Sequence, residues 1–515
     1  MLFLNRFIRN PAIRSQLLSN ISSNAGVYLV NLLIAMWMTP YLIGHLGVAL
    51  FGLIPLANSV TSYLSLLTLS LNGAVGRFLA IDLQKGDQQT ANRTFNTSLV
   101  GVSTIALGLL PFLALFSYLV PRIFDIPSGE TRSAQFLFFF VMLSFLVTQI
   151  GASFSVSSWA RSRFDLRNRI LIFSNVLRLT VLVCFFTWMT PGAWQVGLGI
   201  LIASLYVFCG DYLLWRKLTP ELSVDRRKFD RSRVRQLFGM GGWLVIDQVG
   251  SLLLLNIELI VANTILGAEV AGIYGSLLLF SILLQGIVGT VSSVFTPTYV
   301  AQYAKGDFGG LHQFSVRVVR LTGLAVGLPA GLLCSLGGSF IGLWLGNPFR
   351  QWGGLLALLS FHLAVNLAIL PLFGIRTALN KVKTPGIVTL LAGGLNLLLA
   401  VWLASRWGVY GLALNGAISL SLRNVLFTTI YSARIQSLPW HTYLRALLPA
   451  ILGTAVAGGS GYVLSLIMPS PDWIELILIT VSTTTIYVIL AIALGLDAKE
   501  KRWLFQIFKE QPKTA

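Results

Sequence analysis

Charge is scarce in this 515-residue chain. Asp, Glu, Lys and Arg together make up 11% of it, against about 25% in ordinary globular proteins. A water-soluble fold of this length needs a larger solvated surface than that composition supplies, which excludes a soluble enzyme or nucleic-acid-binding domain. Acids are scarcer than bases, 18 against 37, for a formal net charge of +19. Cysteine is nearly absent, and Cys184, Cys209 and Cys334 each fall inside an apolar run. That leaves no spacing for a disulfide framework or a zinc site, so the three read as packing residues. Alternating segments of about ten residues, the mark of a membrane β-barrel, are also missing. The N-terminus, MLFLNRFIRNPAIRSQ, carries arginines through its short apolar stretch. It therefore reads as an interfacial segment rather than a cleavable signal.

What the chain does have is apolar residues, 55% of the total, gathered in runs of about 17–25 residues, long enough to cross a bilayer. The expected fold is all-α and polytopic, with fourteen spans at about 21–43, 51–76, 97–120, 134–158, 170–189, 195–215, 238–263, 270–299, 318–345, 352–375, 386–404, 408–432, 445–468 and 473–495. With the N-terminus in the cytoplasm, the loops assigned outside hold only Arg122, Arg132, Arg350 and Arg406. Arg178 lies within a span, and the remaining basic residues fall in cytoplasmic loops or at cytoplasmic span ends. This is the asymmetry that topology demands, and with attraction to anionic lipid heads it accounts for the net charge.

The chain also repeats itself. LGVALFG at 46–52 recurs as LGAEVAG at 266–272, and KGD at 85–87 recurs at 305–307, all at one offset of 220 residues. Six expected spans separate the copies, so the halves are parallel repeats. Expected divisions are an N-lobe at 1–215, a basic linker at 216–237, a C-lobe at 238–432, two C-terminal helices at 433–495 and an amphipathic cytoplasmic tail at 496–515. The glycines and aspartates of the motifs read as turn and helix-capping residues, and two facing six-helix lobes are a carrier's geometry.

The stretch YLIGHLGVALFGLIPLANSVTSYLSLLTLSLNGAVGRFLAIDLQKGD, followed later by DRSRVRQLFGMGGW, ELIVANTILGAEVAGIYGSLLLF and FTPTYVAQYAKGD, resembles the polysaccharide transport family of bacterial flippases. The likeness covers most of residues 20–430. That family belongs to the multidrug/oligosaccharidyl-lipid/polysaccharide superfamily, with lipid II flippases and multidrug and toxic-compound extrusion (MATE) antiporters. The resemblance implies a V-shaped, MATE-like pair of lobes in the bacterial inner membrane, with both termini cytoplasmic. It also implies alternating-access transfer of an undecaprenyl-diphosphate-linked oligosaccharide, an O-antigen or exopolysaccharide unit. Implied partners are that lipid-linked oligosaccharide, the bilayer, and a polymerase or other polysaccharide-assembly proteins.

An ionised side chain at the bilayer centre costs about 2.5 to 3.5 kcal/mol even on lenient scales, so such residues are candidates for function. Asp247 and Glu258 lie in span seven, eleven residues apart and thus on nearly one helix face. Ser251 joins that stripe, and its repeat-mate is Asn31, which shares a face of span one with Asn20 and Asn24. Repeat symmetry sets these two stripes across a cleft. Asp247 and Glu258 are also the candidates for coupling to a proton or sodium gradient, and no organic cofactor or metal is expected. Arg178 in span five could grip phosphate or neutralise Asp247. Arg77, Arg376 and Arg423, near cytoplasmic span ends, could meet an arriving diphosphate. His362 and Asn366 share a face of span ten and read as a packing pair. Pro40, Pro55, Pro297, Pro329 and Pro371 are candidate hinges.

Two same-fold readings remain open, a cation-coupled drug antiporter and a lipid II flippase. An enzyme acting on lipid-linked glycan is disfavoured, because the longest outer loop, VPRIFDIPSGETR, is short and no DxD, HExxH or GxSxG sequence accompanies it.

Overall fold

The computed structural model describes residues 11–66, 78–79, 82–83, 85–230, 242–469 and 471–495. Arg77, part of the basic linker and the amphipathic tail lie outside the described residues, which contain helices and turns and no strand. Among the described residues, twelve helices are long and apolar enough to cross a membrane. One of them, Lys383–Arg434, contains non-helical backbone at Gly408, where two expected spans meet. Val48–Leu64, a shorter apolar helix, covers the start of expected span two.

In chain order the helices are α1 Pro11–Leu46, α2 Val48–Leu64, α3 Gln88–Ile123, α4 Thr131–Ala160, α5 Phe164–Trp188 and α6 Ala193–Leu218. Then come α7 Gly242–Val261, α8 Ala268–Ala304, α9 Phe308–Leu345, α10 Gly353–Ser360, α11 Leu363–Ala368 and α12 Leu372–Ala378. The last are α13 Lys383–Ser421, α14 Thr429–Arg434, α15 Thr442–Ala446, α16 Leu448–Ile467 and α17 Trp473–Leu490.

The doubled motifs set helix starts in both repeats. Gly47 and Gly267 have φ of 76° and 94°, and Gly86 and Gly306 have 74° and 70°, conformations that side chains resist. Asp87 then accepts from Thr90 N–H at 3.0 Å and Asp307 from Gly310 N–H at 2.8 Å, so each caps the helix that follows.

The chain divides into two compact units, 1–276 and 277–515, so compactness and the 220-residue repeat split it at different places. The reason is local: α7 and the first turns of α8 are held within the first unit by α2 and the 124–130 loop, as described below. The first unit's core includes Leu53, Leu56, Leu137, Phe138 and Leu182, all essentially inaccessible. The second is centred on Tyr299, Leu311, Leu372, Ile375 and Tyr443. Pro40, Pro55, Pro297 and Pro329 lie inside continuous helices. Pro371 stands at a break, between α11 and α12.

Candidate functional site

In the second unit, the segment expected as span ten is broken into α10, α11 and α12, with turns at 361–362 and 369–371. Another irregularity follows α13, where residues Leu422–Thr428 widen into a π-helical turn. Such turns and breaks leave backbone groups to be satisfied by side chains, and they are frequent at functional sites. Together they converge two cations. The guanidinium of Arg376, on α12, lies 4.1 Å from the centroid of the Phe373 ring. That of Arg423, in the π turn, lies 4.7 Å from the same centroid. Both arginines are buried, at 5% and 7% exposure. A desolvated cation–π contact is worth about 2 kcal/mol, which offsets part of the cost of holding two like charges together.

A polar chain extends from this pair. Arg423 Nε donates to Thr389 Oγ1 at 3.3 Å and its Nη1 to Asn424 Oδ1 at 3.3 Å. Asn424 Nδ2 donates to the Asn366 carbonyl at 3.5 Å. Asn366 Nδ2 donates to Ser421 Oγ at 3.0 Å and sits 3.2 Å from His362 Nδ1. The expected His362–Asn366 pair is thus formed, and its packing role runs on to Arg423. Sequence reading grouped Arg376 and Arg423 with Arg77 as cations near cytoplasmic span ends and missed the aromatic residue that joins the first two.

The first unit holds the acids. Glu258 is buried and accepts from the Tyr274 hydroxyl at 2.6 Å, linking α7 to α8. Sequence reading named Glu258 as a cleft and coupling candidate and did not name Tyr274. Around this pair, α2 and α8 approach through Gly52 and Gly272. Tyr63 Oη donates to the Leu252 carbonyl at 3.3 Å. Asp125 and Asn263 exchange two hydrogen bonds, Asp125 N–H to Asn263 Oδ1 at 2.9 Å and Asn263 Nδ2 to the Asp125 carbonyl at 3.1 Å. Asp125 Oδ2 also accepts from Ala268 N–H at 2.8 Å, capping α8. All of these lie toward the base-poor face, except Tyr63–Leu252, which is deeper along the helices.

Asp247 and Ser251 are half-buried on α7. Arg178 is half-buried on α5, its stem accommodated by Gly199 of α6. No hydrogen bond or ion pair among the described residues joins it to Asp247, so that expected pairing is not formed. The polar face of span one has partners that sequence reading did not name. Asn175 Nδ2 donates to Asn31 Oδ1 at 2.7 Å, and Asn168 Nδ2 donates to Ser23 Oγ at 2.9 Å and to Asn24 Oδ1 at 2.7 Å. Asn20 Nδ2 donates to the Ser162 carbonyl at 2.9 Å, and its Oδ1 accepts from Asp165 N–H at 3.1 Å. The polar face of α1 therefore has neighbours in α5 and the turn before it, while Asn24 and Asn31 stay exposed. In an apolar setting, amide side chains satisfy one another wherever a neighbouring helix offers partners.

One further buried charge went unnamed. Asp211 of α6, 2% exposed, pairs with Arg167 of α5 at 3.4 Å. The rule that singled out Asp247, an acid inside an apolar run, applies equally to Asp211.

Comparison with known proteins adds four likenesses. The family described as "Polysaccharide biosynthesis protein" matches residues 17–301. The "Uncharacterized membrane protein EpsK" of Bacillus subtilis (strain 168) is 32% identical over 493 residues, spanning 95% of this chain and 98% of that protein. Among solved structures, an inward-facing multidrug resistance MATE family transporter of the MOP superfamily aligns with a TM-score of 0.55 at 16% identity, over 80% of this chain and 98% of the other. The lipid II flippase MurJ, in an inward closed conformation, aligns with 0.55 at 15% identity, over 89% and 97%. At these identities the two structures establish a common fold.

Proposed function

From its place in the polysaccharide biosynthesis protein family, to which this multi-pass membrane chain belongs, we propose that the protein is a flippase. Its substrate is an undecaprenyl-diphosphate-linked oligosaccharide, an O-antigen or exopolysaccharide unit, carried across the bacterial cytoplasmic membrane by alternating access. The observation that carries this reading is the convergence of Arg376 and Arg423 on Phe373. Guanidinium forks match phosphate oxygens in pairs, and two of them near the base-rich end of broken and π-helical segments suit a diphosphate entering from that side. The lipid tail stays in the bilayer and the glycan follows a polar path. Contacts near the base-poor face, Gly52 with Gly272 and Asp125 with Asn263, join the start of the second repeat to the first, and alternating access requires them to part. Polymerase and other assembly proteins act on the delivered unit.

The direct test deletes the gene and asks which lipid-linked oligosaccharide accumulates at the cytoplasmic face, then complements with Arg376→Gln, Arg423→Gln and the double variant. Accumulation relieved by wild type and not by the double variant supports the reading. If no such lipid accumulates and sensitivity to cationic drugs rises instead, the protein is an antiporter of the same fold. Buried Glu258 is the observation favouring that second reading, since an antiporter needs an intramembrane acid; in the flippase it is a candidate for gradient coupling, together with Asp247.

A further inference from the structure

The connection leaving α6 does not hang free. Residues 219–230 are laid along the start of α3 by three side chains of that helix. Asn92 Nδ2 donates to the Glu221 carbonyl at 2.9 Å, and its Oδ1 accepts from Ser223 N–H at 2.8 Å. Asn96 Nδ2 donates to the Ser223 carbonyl at 2.8 Å, and its Oδ1 accepts from Asp225 N–H at 2.8 Å. Thr97 Oγ1 accepts from Asp230 N–H at 3.0 Å. One helix turn apart, the two asparagines read the connection's backbone as a neighbouring strand would. This fixes the short turn Arg226–Lys228 in place.

Between that turn and α3 lies an open cleft lined by Gln88, Gln89, Asn92, Arg93, Arg227 and Lys228. Three of the six are cations and none is an acid. The guanidiniums of Arg93 and Arg227 make no hydrogen bond or ion pair among the described residues. The acids flanking them in sequence are engaged: Glu221 with Arg161, Asp225 with Arg227 N–H, and Asp87 as the cap of α3. Lys228 Nζ is positioned by Ser223 Oγ at 2.7 Å.

The repeat supplies an independent observation. At the 220-residue offset, Asn92, Arg93, Asn96 and Thr97 correspond to His312, Gln313, Val316 and Arg317. Both copies keep the KGD turn and its cap, so the fold requires those. The ladder and its Arg93 occur in one copy alone, so the fold does not require them.

We propose that this cleft on the base-rich face is a binding site for a phosphate-bearing anion, separate from the Arg376–Arg423 pair. Two forks and an ammonium, held about a preformed cleft with amides at its rim, suit a diphosphate or a phosphorylated headgroup. Occupancy would pin the connection between the two repeats to α3.

The test uses the full-length protein in phosphatidylcholine nanodiscs, titrated with inorganic pyrophosphate by calorimetry. A saturable site weakened at least tenfold by Arg93→Gln with Arg227→Gln is expected, apart from any binding at the Arg376–Arg423 pair. The charge-matched control Arg216→Gln with Lys217→Gln should leave this site unchanged, and the site should persist in Arg376→Gln with Arg423→Gln, which removes binding at the other pair. Asn96→Ala, which frees the connection without removing a charge, should weaken it too. If pyrophosphate does not bind, but native mass spectrometry finds one phosphatidylglycerol retained by wild type and lost by the Arg93/Arg227 variant, the anion is a lipid headgroup. Loss of binding in the Arg216/Lys217 control to the same degree, or no binding of either probe, overturns the proposal. Loss only in the Arg376/Arg423 variant also overturns it, while leaving the flippase reading intact.

Discussion

Gly52 of α2 and Gly272 of α8 touch backbone to backbone: a Cβ placed on Gly52 would lie 2.6 Å from the Gly272 nitrogen and 2.7 Å from its Cα. A Cβ on Gly272 would collide with the Val48 carbonyl. These are the final glycines of the two LGxxxxG copies, so the duplicated motif meets itself. Gly52→Ala and Gly272→Ala should each overpack this crossing, at a cost of roughly 1–3 kcal/mol, and should lower the melting temperature of the detergent-solubilised protein. Gly44→Ala, with nothing within 4 Å, is the control. Equal melting temperatures for all three would show that the helices part without cost.

Glu258 and Tyr274 form a buried pair in which one hydroxyl serves one carboxyl group. Tyr274→Phe removes the donor and leaves the acid buried without it, which should cost about 1–3 kcal/mol. Glu258→Gln keeps a hydrogen-bonding partner and should cost less. If Glu258 couples transport to an ion gradient, Glu258→Gln should abolish gradient dependence while the protein remains folded. Retained gradient dependence in Glu258→Gln and in Asp247→Asn would remove both as coupling groups.

Phe373 gives Arg376 and Arg423 a common surface. Phe373→Leu preserves apolar volume approximately and removes the ring's negative face. Losing about 1–2 kcal/mol of cation–π attraction should lower transport of the lipid-linked oligosaccharide roughly tenfold with little change in expression. Unchanged transport would mean that Phe373 does not position the pair and that Thr389 and Asn424 suffice for Arg423.

Asp211 lies in α6 with Arg167 as its counter-ion, the acid buried and the arginine side chain 36% exposed. Breaking a buried pair by removing one partner costs about 3–5 kcal/mol, and partial solvation of Arg167 reduces that. Asp211→Asn should therefore destabilise by roughly 1–3 kcal/mol, and adding Arg167→Leu should restore part of the loss. A double variant no more stable than Asp211→Asn would show that Arg167 has no influence on Asp211.

These cases also mark what a sequence reader can reach. The duplicated glycines and capping aspartates were legible, because turn chemistry is local and the repeat doubles the signal. Asp211 was equally legible, since an acid in an apolar run is visible without a structure. The meeting of Arg376, Phe373 and Arg423 was not, because it depends on how span ten breaks at 361–362 and 369–371 and on the π turn that turns Arg423 inward. The partners of the α1 amides were hidden for a related reason. Repeat symmetry relates Asn31 to Ser251, but it does not say which neighbouring helix will satisfy an amide, and α5 does so.

The ladder of Asn92, Asn96 and Thr97 makes a prediction that needs no transport assay. It holds 219–230 by side-chain bonds to backbone groups, so Arg226, Arg227 and Lys228 are kept in a short turn against α3. Trypsin cleaves after such residues only when several residues on either side can enter its active site in extended form, so a tethered turn is protected by its opening equilibrium. Each asparagine makes two bonds to the connection's backbone, and bonds of this kind are worth about 0.5–1.5 kcal/mol apiece. Asn92→Ala with Asn96→Ala should therefore raise the cleavage rate at 226–228 by at least an order of magnitude, with the membrane helices unaffected. Sulfate or pyrophosphate should slow cleavage of the wild type if the adjacent cleft binds anions, and should not slow it in the double variant. Equal rates in wild type and double variant would show that the connection is held by something other than the ladder.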